Sequence, residues 1–438
     1  MSHNPDYTVM QDGGRQRYKE ETQSSTPASG DNRAAAEIDA TICKEEKEMH
    51  ETFDQVHELV TECNAEVEVP KQQPMFLVRL MRRVIPPGGF ASGVFNLAGS
   101  SLGAGILGLP YAFDTSGIVM GTIYLIVIYL LTVYSVRLLA IVYGKTGIRS
   151  YELTARILFG RGGDIFTAVI MFIKCMGACI AYVICINDLW HAFLNDDRVQ
   201  GYYRSVSFQR VLTSEGITSK GLRLFNTGNR AIQGLGQFVF AFLCQSNAYQ
   251  VFNETPKPSV RFFELQVLVS MLICTVFYWV TGFFGYCDFG DKVGSSLLRM
   301  YRPLTDYYFA VAYVGLVVKL CVAFALHILP SRDSVHHLIG WDLHTVAWWK
   351  NAVLCTFLSL VSLLCGLFIP NVNTVFGLLG SFTGGFIAFV FPALFFIYSG
   401  DYELKKVGYY NYFGAIVLLI CGVTIICFGT TATIYGVV

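Results

Sequence analysis

Nine apolar runs constrain this chain more than any motif within it. They lie near residues 92–113, 118–141, 164–192, 231–252, 262–286, 306–330, 349–370, 374–398 and 411–435. A helix needs about 20 apolar residues to cross the hydrocarbon core of a bilayer, and a helix satisfies its own backbone hydrogen bonds there. Only 15% of the 438 residues are charged and 53% are hydrophobic, where a soluble domain has about 25% charged. The fold class read from this pattern is an all-α polytopic membrane protein, and the lipid bilayer is its first partner. The 34 Phe and 24 Tyr suit aromatic belts at the two interfaces. A net charge of +0 speaks against nucleic acid as a partner. Most of the 13 Cys fall inside the apolar runs, as small hydrophobes do, without disulfide or zinc spacing.

Residues 1–75 read as a cytosolic, largely disordered tail, too poor in apolar side chains to fold alone. Within it Ile38, Ile42, Met49, Phe53, Val56 and Val60 recur at near-helical intervals, so the tail also offers a docking segment for a partner. Around Arg79, Arg82 and Arg83 apolar and basic residues mix, as at an anionic membrane surface, before Pro86-Pro-Gly-Gly89 turns the chain into the bilayer. No cleaved signal peptide is expected, because the start is polar. The Lys and Arg of the loops favour a cytosolic N-terminus. The excess is blurred by one connection on the opposite side, which holds Arg198, Arg204, Arg210, Lys220, Arg223 and Arg230.

The first run carries Gly99, Gly103, Gly105, Gly108 and Pro110. Glycine costs about 1 kcal/mol in a helix interior and proline about 3, which an anchoring helix would avoid. Unwound backbone in a membrane survives only inside protein or beside a watery cavity. Interrupted helices in transporters aim the free N–H groups of the second half-helix at an anionic group. The plainer reading is a packing face of small residues. The fourth run has a second such interruption, with Cys244, Gln245, Ser246 and Asn247 at bilayer depth. Two interruptions favour a binding site near the midplane over interhelical hydrogen bonding alone.

Lys174, Lys319 and His327 are the other ionisable candidates within the runs, as coupling groups or as structural charges. Gly377, Gly380, Gly384 and Gly385 give the eighth run a small-residue face. No enzyme signature competes, so no catalytic residue, metal or cofactor is expected. No P-loop is present, and Gly103-Ala-Gly105-Ile-Leu-Gly108 lacks the βαβ setting of a dinucleotide site.

Gly103-Ala-Gly-Ile-Leu-Gly-Leu-Pro-Tyr-Ala-Phe113 resembles the amino acid/auxin permease family. The resemblance continues through Phe240–Asn247, Phe284-Gly-Tyr286, Leu329-Pro-Ser-Arg332 and Cys365–Asn371, covers roughly residues 90–435, and is strongest to the kinetoplastid amino acid permeases. It implies a LeuT-like, APC-type inverted-repeat fold in the transporter domain 76–438. The implied activity is secondary transport of amino acids. The amino acid would lie between Gly103, Ala104, Gly105, Ile106 and Leu107 and a second group, Phe242, Cys244, Gln245, Ser246 and Asn247. Backbone N–H groups of the first would hold the carboxylate and carbonyls of the second the ammonium.

Three departures modify that expectation. Gly99 stands where sodium-coupled members carry asparagine, and Cys321 to Ala323 where they carry threonine. The loss of those oxygens implies coupling to a proton as co-substrate, or facilitated exchange, rather than sodium symport. The third departure is that nine membrane helices stand where the family has eleven: the loop 191–230 replaces the fourth and fifth. A non-transporting amino acid sensor, or a truncated variant of a permease, is therefore the alternative function. The plasma membrane is the first expected location, an acidic organelle the second.

Overall fold

The computed structural model describes residues 88–194 without 149, 222–255 without 227, 259–290 with 293, 307–341, 346–369, 371–400 and 404–436. All lie within Pro74–Val438. The expected tail 1–75, and all but the two ends of the expected loop 191–230, lie outside the described residues.

Every element among the described residues is helical. In chain order they are α1 (Phe90–Ser101), α2 (Gly105–Ser116), α3 (Ile118–Thr146), α4 (Tyr151–Leu194), α5 (Asn229–Ala241), α6 (Gln245–Glu254), α7 (Val260–Phe289), α8 (Tyr307–Ile339) and α9 (Trp348–Phe368). After these come α10 (Val372–Tyr398), a single turn α11 (Leu404–Val407) and α12 (Tyr409–Tyr435). Seven of these helices are long and apolar enough to cross a membrane, and the pair α1 and α2, bent by 60°, makes an eighth span if counted as one. The ninth expected span, 231–252, does not meet that standard: it is two helices of 13 and 10 residues, and the second is too polar.

Two boundaries differ from the sequence reading. The stretch Tyr151–Trp190 is 40 residues long, about twice what a bilayer requires. Gly160, at φ 73°, breaks it, so a short helix precedes the span that the sequence starts at 164. At the other departure, Pro330 does not end α8, which runs on to Ile339. The Ser331 hydroxyl donates to the His327 carbonyl at 2.9 Å, an added tie in the turn where proline has no N–H to give.

The interior is aromatic and closely approached by glycine. Phe113 of α2 is fully buried; a Cβ on Gly282 of α7 would lie 2.5 Å from its ring, and one on Gly121 of α3 3.1 Å. Burying such a ring contributes about 1.5–3 kcal/mol, and any side chain on those glycines would forfeit it. The glycines of α10 serve two neighbours rather than one face. Gly380 and Gly384 admit Gly236 and Val239 of α5, while Gly377 and Gly385 admit Thr433 and Ile426 of α12. The reason is local geometry: Leu379–Val390 is wound as a π-helix, whose wider turn rotates successive residues differently from an α-helix.

Past its expected loop, the chain returns as a strap over the turn between α2 and α3. Ile118 and Val119, whose N–H groups have no partner inside α3, donate to the carbonyls of Arg223 and Leu224 at 3.1 and 3.0 Å. Asn226 donates to the carbonyls of Ser116 and Thr115 at 3.1 and 2.9 Å, and the Arg223 N–H donates to the Tyr286 hydroxyl at 3.0 Å. By contrast α8 packs mainly against α4 and α9. One side of it, along Val311, Val314, Val318, Val322 and Leu326, is exposed.

Candidate functional site

Both interruptions exist, each shifted by a few residues from its expected place. The first lies at Leu102–Ala104, with Gly105, Ile106 and Leu107 already in α2. The second lies at Phe242–Cys244, with Gln245, Ser246 and Asn247 forming the first turn of α6. Pro110, inside α2, has no N–H to give the carbonyl of Ile106, so the proline falls within a helix that is already one turn weaker.

The two interruptions cross in contact. A Cβ built on Gly105 would lie 3.0 Å from the Cα of Ala241, the last residue of α5, and 3.3 Å from the ring of Phe240. Gly108, one turn on, comes equally close to Phe376 and to the side chain of Asn373 in α10. So the small-residue reading holds for Gly105 and Gly108, which let two backbones approach. A Cβ on Gly99, inside α1, would meet nothing within 4 Å, and one on Gly103, in the interruption, would meet only the Ser101 carbonyl at 3.9 Å, so close packing does not explain these two.

Each interruption leaves one helix ending and another beginning, so two sets of free carbonyls and two sets of free N–H groups come together. The negative ends are bridged by a residue that no motif announces. Tyr278 of α7, fully buried, holds its hydroxyl 2.6 Å from the carbonyl of Ser101 and 2.7 Å from that of Ala241. One hydroxyl proton faces two carbonyls; that of Ser101 also accepts from the Gly103 N–H at 2.6 Å, so the proton is free to serve Ala241. The ring of Phe242 meets the Tyr278 ring edge-on at 5.1 Å and fixes its direction. Behind it, the Ser101 hydroxyl and the Cys244 thiol both approach the Met271 sulfur at 3.9 Å.

At the positive end of the second interruption lies Lys174 of α4, only 8% exposed. Its ammonium donates to the Ser246 hydroxyl at 3.1 Å, in the first turn of α6. The other two ionisable candidates make no hydrogen bond to either interruption, although His327 lies within electrostatic reach of Lys174 and Lys319 within reach of Cys274. His327 binds the Ala323 carbonyl of its own helix at 2.8 Å and meets the Tyr182 ring edge-on. Lys319 is exposed on α8 and forms no ion pair among the described residues. Gln245 is fully buried, and neither atom of its amide has a protein partner. Gln237 of α5 and Asn373 of α10 form a further polar pair beside Gly108: the Gln237 amide donates to the main-chain carbonyl of Asn373 at 3.4 Å, leaving the Gln237 amide oxygen and both atoms of the Asn373 amide without a protein partner. The sequence signals for that pair were amides in apolar runs; for Tyr278 there was none.

The model of a family described as transmembrane amino acid transporter protein matches residues 86–213 and 199–435. A vacuolar amino acid transporter 5 from Schizosaccharomyces pombe is 25% identical over 364 aligned positions, which take up 71% of this chain and 85% of that one. The family match runs through the two interruptions.

Proposed function

This chain belongs to the family of transmembrane amino acid transporter proteins, and on that premise we propose that it moves its substrate by alternating access around the crossing of α1–α2 and α5–α6. Amino acids as the substrate, a multi-pass seat in a membrane and a non-enzymatic role follow from the membership. The contact of Gly105 with Ala241 carries the mechanistic reading, because it sets two positive and two negative helix ends around one point. The N–H groups entering α2 take the carboxylate, and the carbonyls of Ser101 and Ala241 take the ammonium in exchange for the Tyr278 proton. In the notation of helices this is the LeuT-like arrangement, and the rocking of one bundle against the other opens the site to each side in turn. Coupling is to a proton, or the flux is facilitative. Gly99 and Cys321, both exposed, offer no hard oxygen ligands for sodium.

We take two membrane helices of the family pattern to be absent between α4 and α5. The 364 aligned positions take up 71% of this chain's 438 residues, so about 50 face no residue here, enough in number for two spans of about 20 residues and a turn. The exposed side of α8 supports it as well. Reading the encoding gene across 190–225 tests the point: a longer frame with two further apolar segments makes this chain a truncated form, and an uninterrupted short frame makes it a variant in its own right. The same feature favours a second functional reading, an amino acid sensor that binds without translocating. The location proposed is the plasma membrane; the vacuolar name of the yeast protein favours an acidic organelle as the second reading.

Radiolabelled amino acid uptake by transport-deficient cells expressing the chain separates these readings. Saturable flux is expected. Surface expression with binding and no flux gives the sensor, and absence of both overturns the site.

A further inference from the structure

From the buried ammonium at the second helix start, we infer that the substrate carries a second carboxylate, so that the preferred amino acids are the acidic ones. The inference rests on reading the crossing of the two interruptions as the substrate site. A zwitterionic amino acid needs one place for its carboxylate and one for its ammonium. The structure supplies one place more. The start of α2 serves the α-carboxylate, and the carbonyl ends of α1 and α5 serve the ammonium. The start of α6 then remains, with its own free N–H groups and dipole.

Lys174 separates this helix start from an ordinary one. It lies nine-tenths buried and reaches the first turn of α6 through Ser246. No carboxylate of the described residues forms an ion pair with it. A buried charge without a counter-charge is strongly unfavourable, and a ligand carboxylate relieves it. Gln245 adds an amide in the same turn with neither its nitrogen nor its oxygen partnered, and the nitrogen can donate to a carboxylate oxygen. The distances suit a short dicarboxylate. Gly105 touches Ala241, and Gln245 follows Ala241 by four residues, at most about 13 Å of chain. The two carboxylates of glutamate are joined through three carbons, those of aspartate through two. A neutral amino acid would leave Lys174 unpaired, and a cationic one would face like charge, which sets the preference by repulsion as well as attraction.

The test measures equilibrium binding of labelled L-glutamate to the purified full chain in lipid nanodiscs, with competition by L-aspartate, L-glutamine, L-leucine and L-arginine. Glutamate and glutamine are nearly the same shape, so their ratio isolates the charge. Glutamate is expected to bind roughly thirtyfold tighter or more. Lys174→Gln is expected to bring the ratio to one or below, and Lys174→Arg to keep it above one. Equal or tighter binding of glutamine by the native chain overturns the inference, as does a ratio that Lys174→Gln leaves unmoved. Binding of leucine or arginine without glutamate overturns the inference and leaves amino acid transport standing. Binding of none of the five overturns both.

Discussion

Gly105 rests on Ala241, with room for no carbon between them: a Cβ on the glycine would lie 3.0 Å from the Cα of its neighbour. Backbone cannot swing aside as a side chain does. Gly105→Val is therefore expected to separate the two interruptions and to lower uptake about tenfold or more, the effect of displaced binding groups. Gly99→Ala, which meets nothing within 4 Å, is expected to keep uptake near the native rate. Uptake normalised to surface expression checks both, and equal loss in the two variants would remove Gly105 from the site.

Tyr278→Phe deletes the one donor that Ser101 and Ala241 share. The Ala241 carbonyl then loses this donor, at a cost of about 1–3 kcal/mol, while the Ser101 carbonyl keeps the Gly103 N–H at 2.6 Å. The melting temperature of the empty protein is expected to fall, and saturating substrate to restore more of it than in the native chain, because the ammonium brings donors of its own. A ligand-induced shift no larger than the native one would place the tyrosine outside the ammonium site.

Replacing sodium by choline is expected to leave uptake unchanged. The expectation follows from Gly99 and Cys321, positions that offer no side-chain oxygen. Loss of uptake in choline would mean that sodium is bound elsewhere and would overturn the assignment of proton-coupled or facilitative flux.

Gly117 turns between α2 and α3 at φ 84°, and a Cβ there would meet the Leu224 carbonyl at 2.8 Å. Gly117→Ala therefore combines the strain of an extended, positive-φ backbone, of order 1–3 kcal/mol, with displacement of the strap. Its melting temperature is expected to fall, and proteolysis within 222–226 to accelerate, relative to Gly408→Ala. Gly408 has nearly the same backbone, φ 81° and ψ 154° against 84° and 161°, but meets no neighbour within 4 Å, so the difference between the two variants reports the strap.

How far the sequence reached is clearest at the two interruptions. The first was legible because five glycine and proline residues in one apolar run contradict a simple span. The second was legible but drawn too long. Phe242 and Cys244 were expected in it and are unwound, whereas Gln245, Ser246 and Asn247, which look like the place where a helix fails, begin the next helix. Polar side chains mark a helix start as readily as a helix break. Lys174 was legible as a charge at depth, whereas its partner Ser246 lies 72 residues away and only the packing of α4 on its neighbours joins them. Tyr278 was not legible at all. Its role is set by two carbonyls, 177 and 37 residues distant, and a tyrosine in an apolar run is otherwise unremarked.

The strap of Arg223–Asn226 has a consequence for motion. It bonds at once to the end of α2, the start of α3 and the end of α7. Those three termini cannot part unless several hydrogen bonds break together, so α2, α3 and α7 travel as a single lever arm. α1 is tied to the same arm at both ends, by Gln266 of α7, which donates to the Gly89 and Phe90 carbonyls at 3.3 Å, and by Tyr278 at Ser101, so the unwound Leu102–Ala104 is carried within the arm and any relative motion falls outside it.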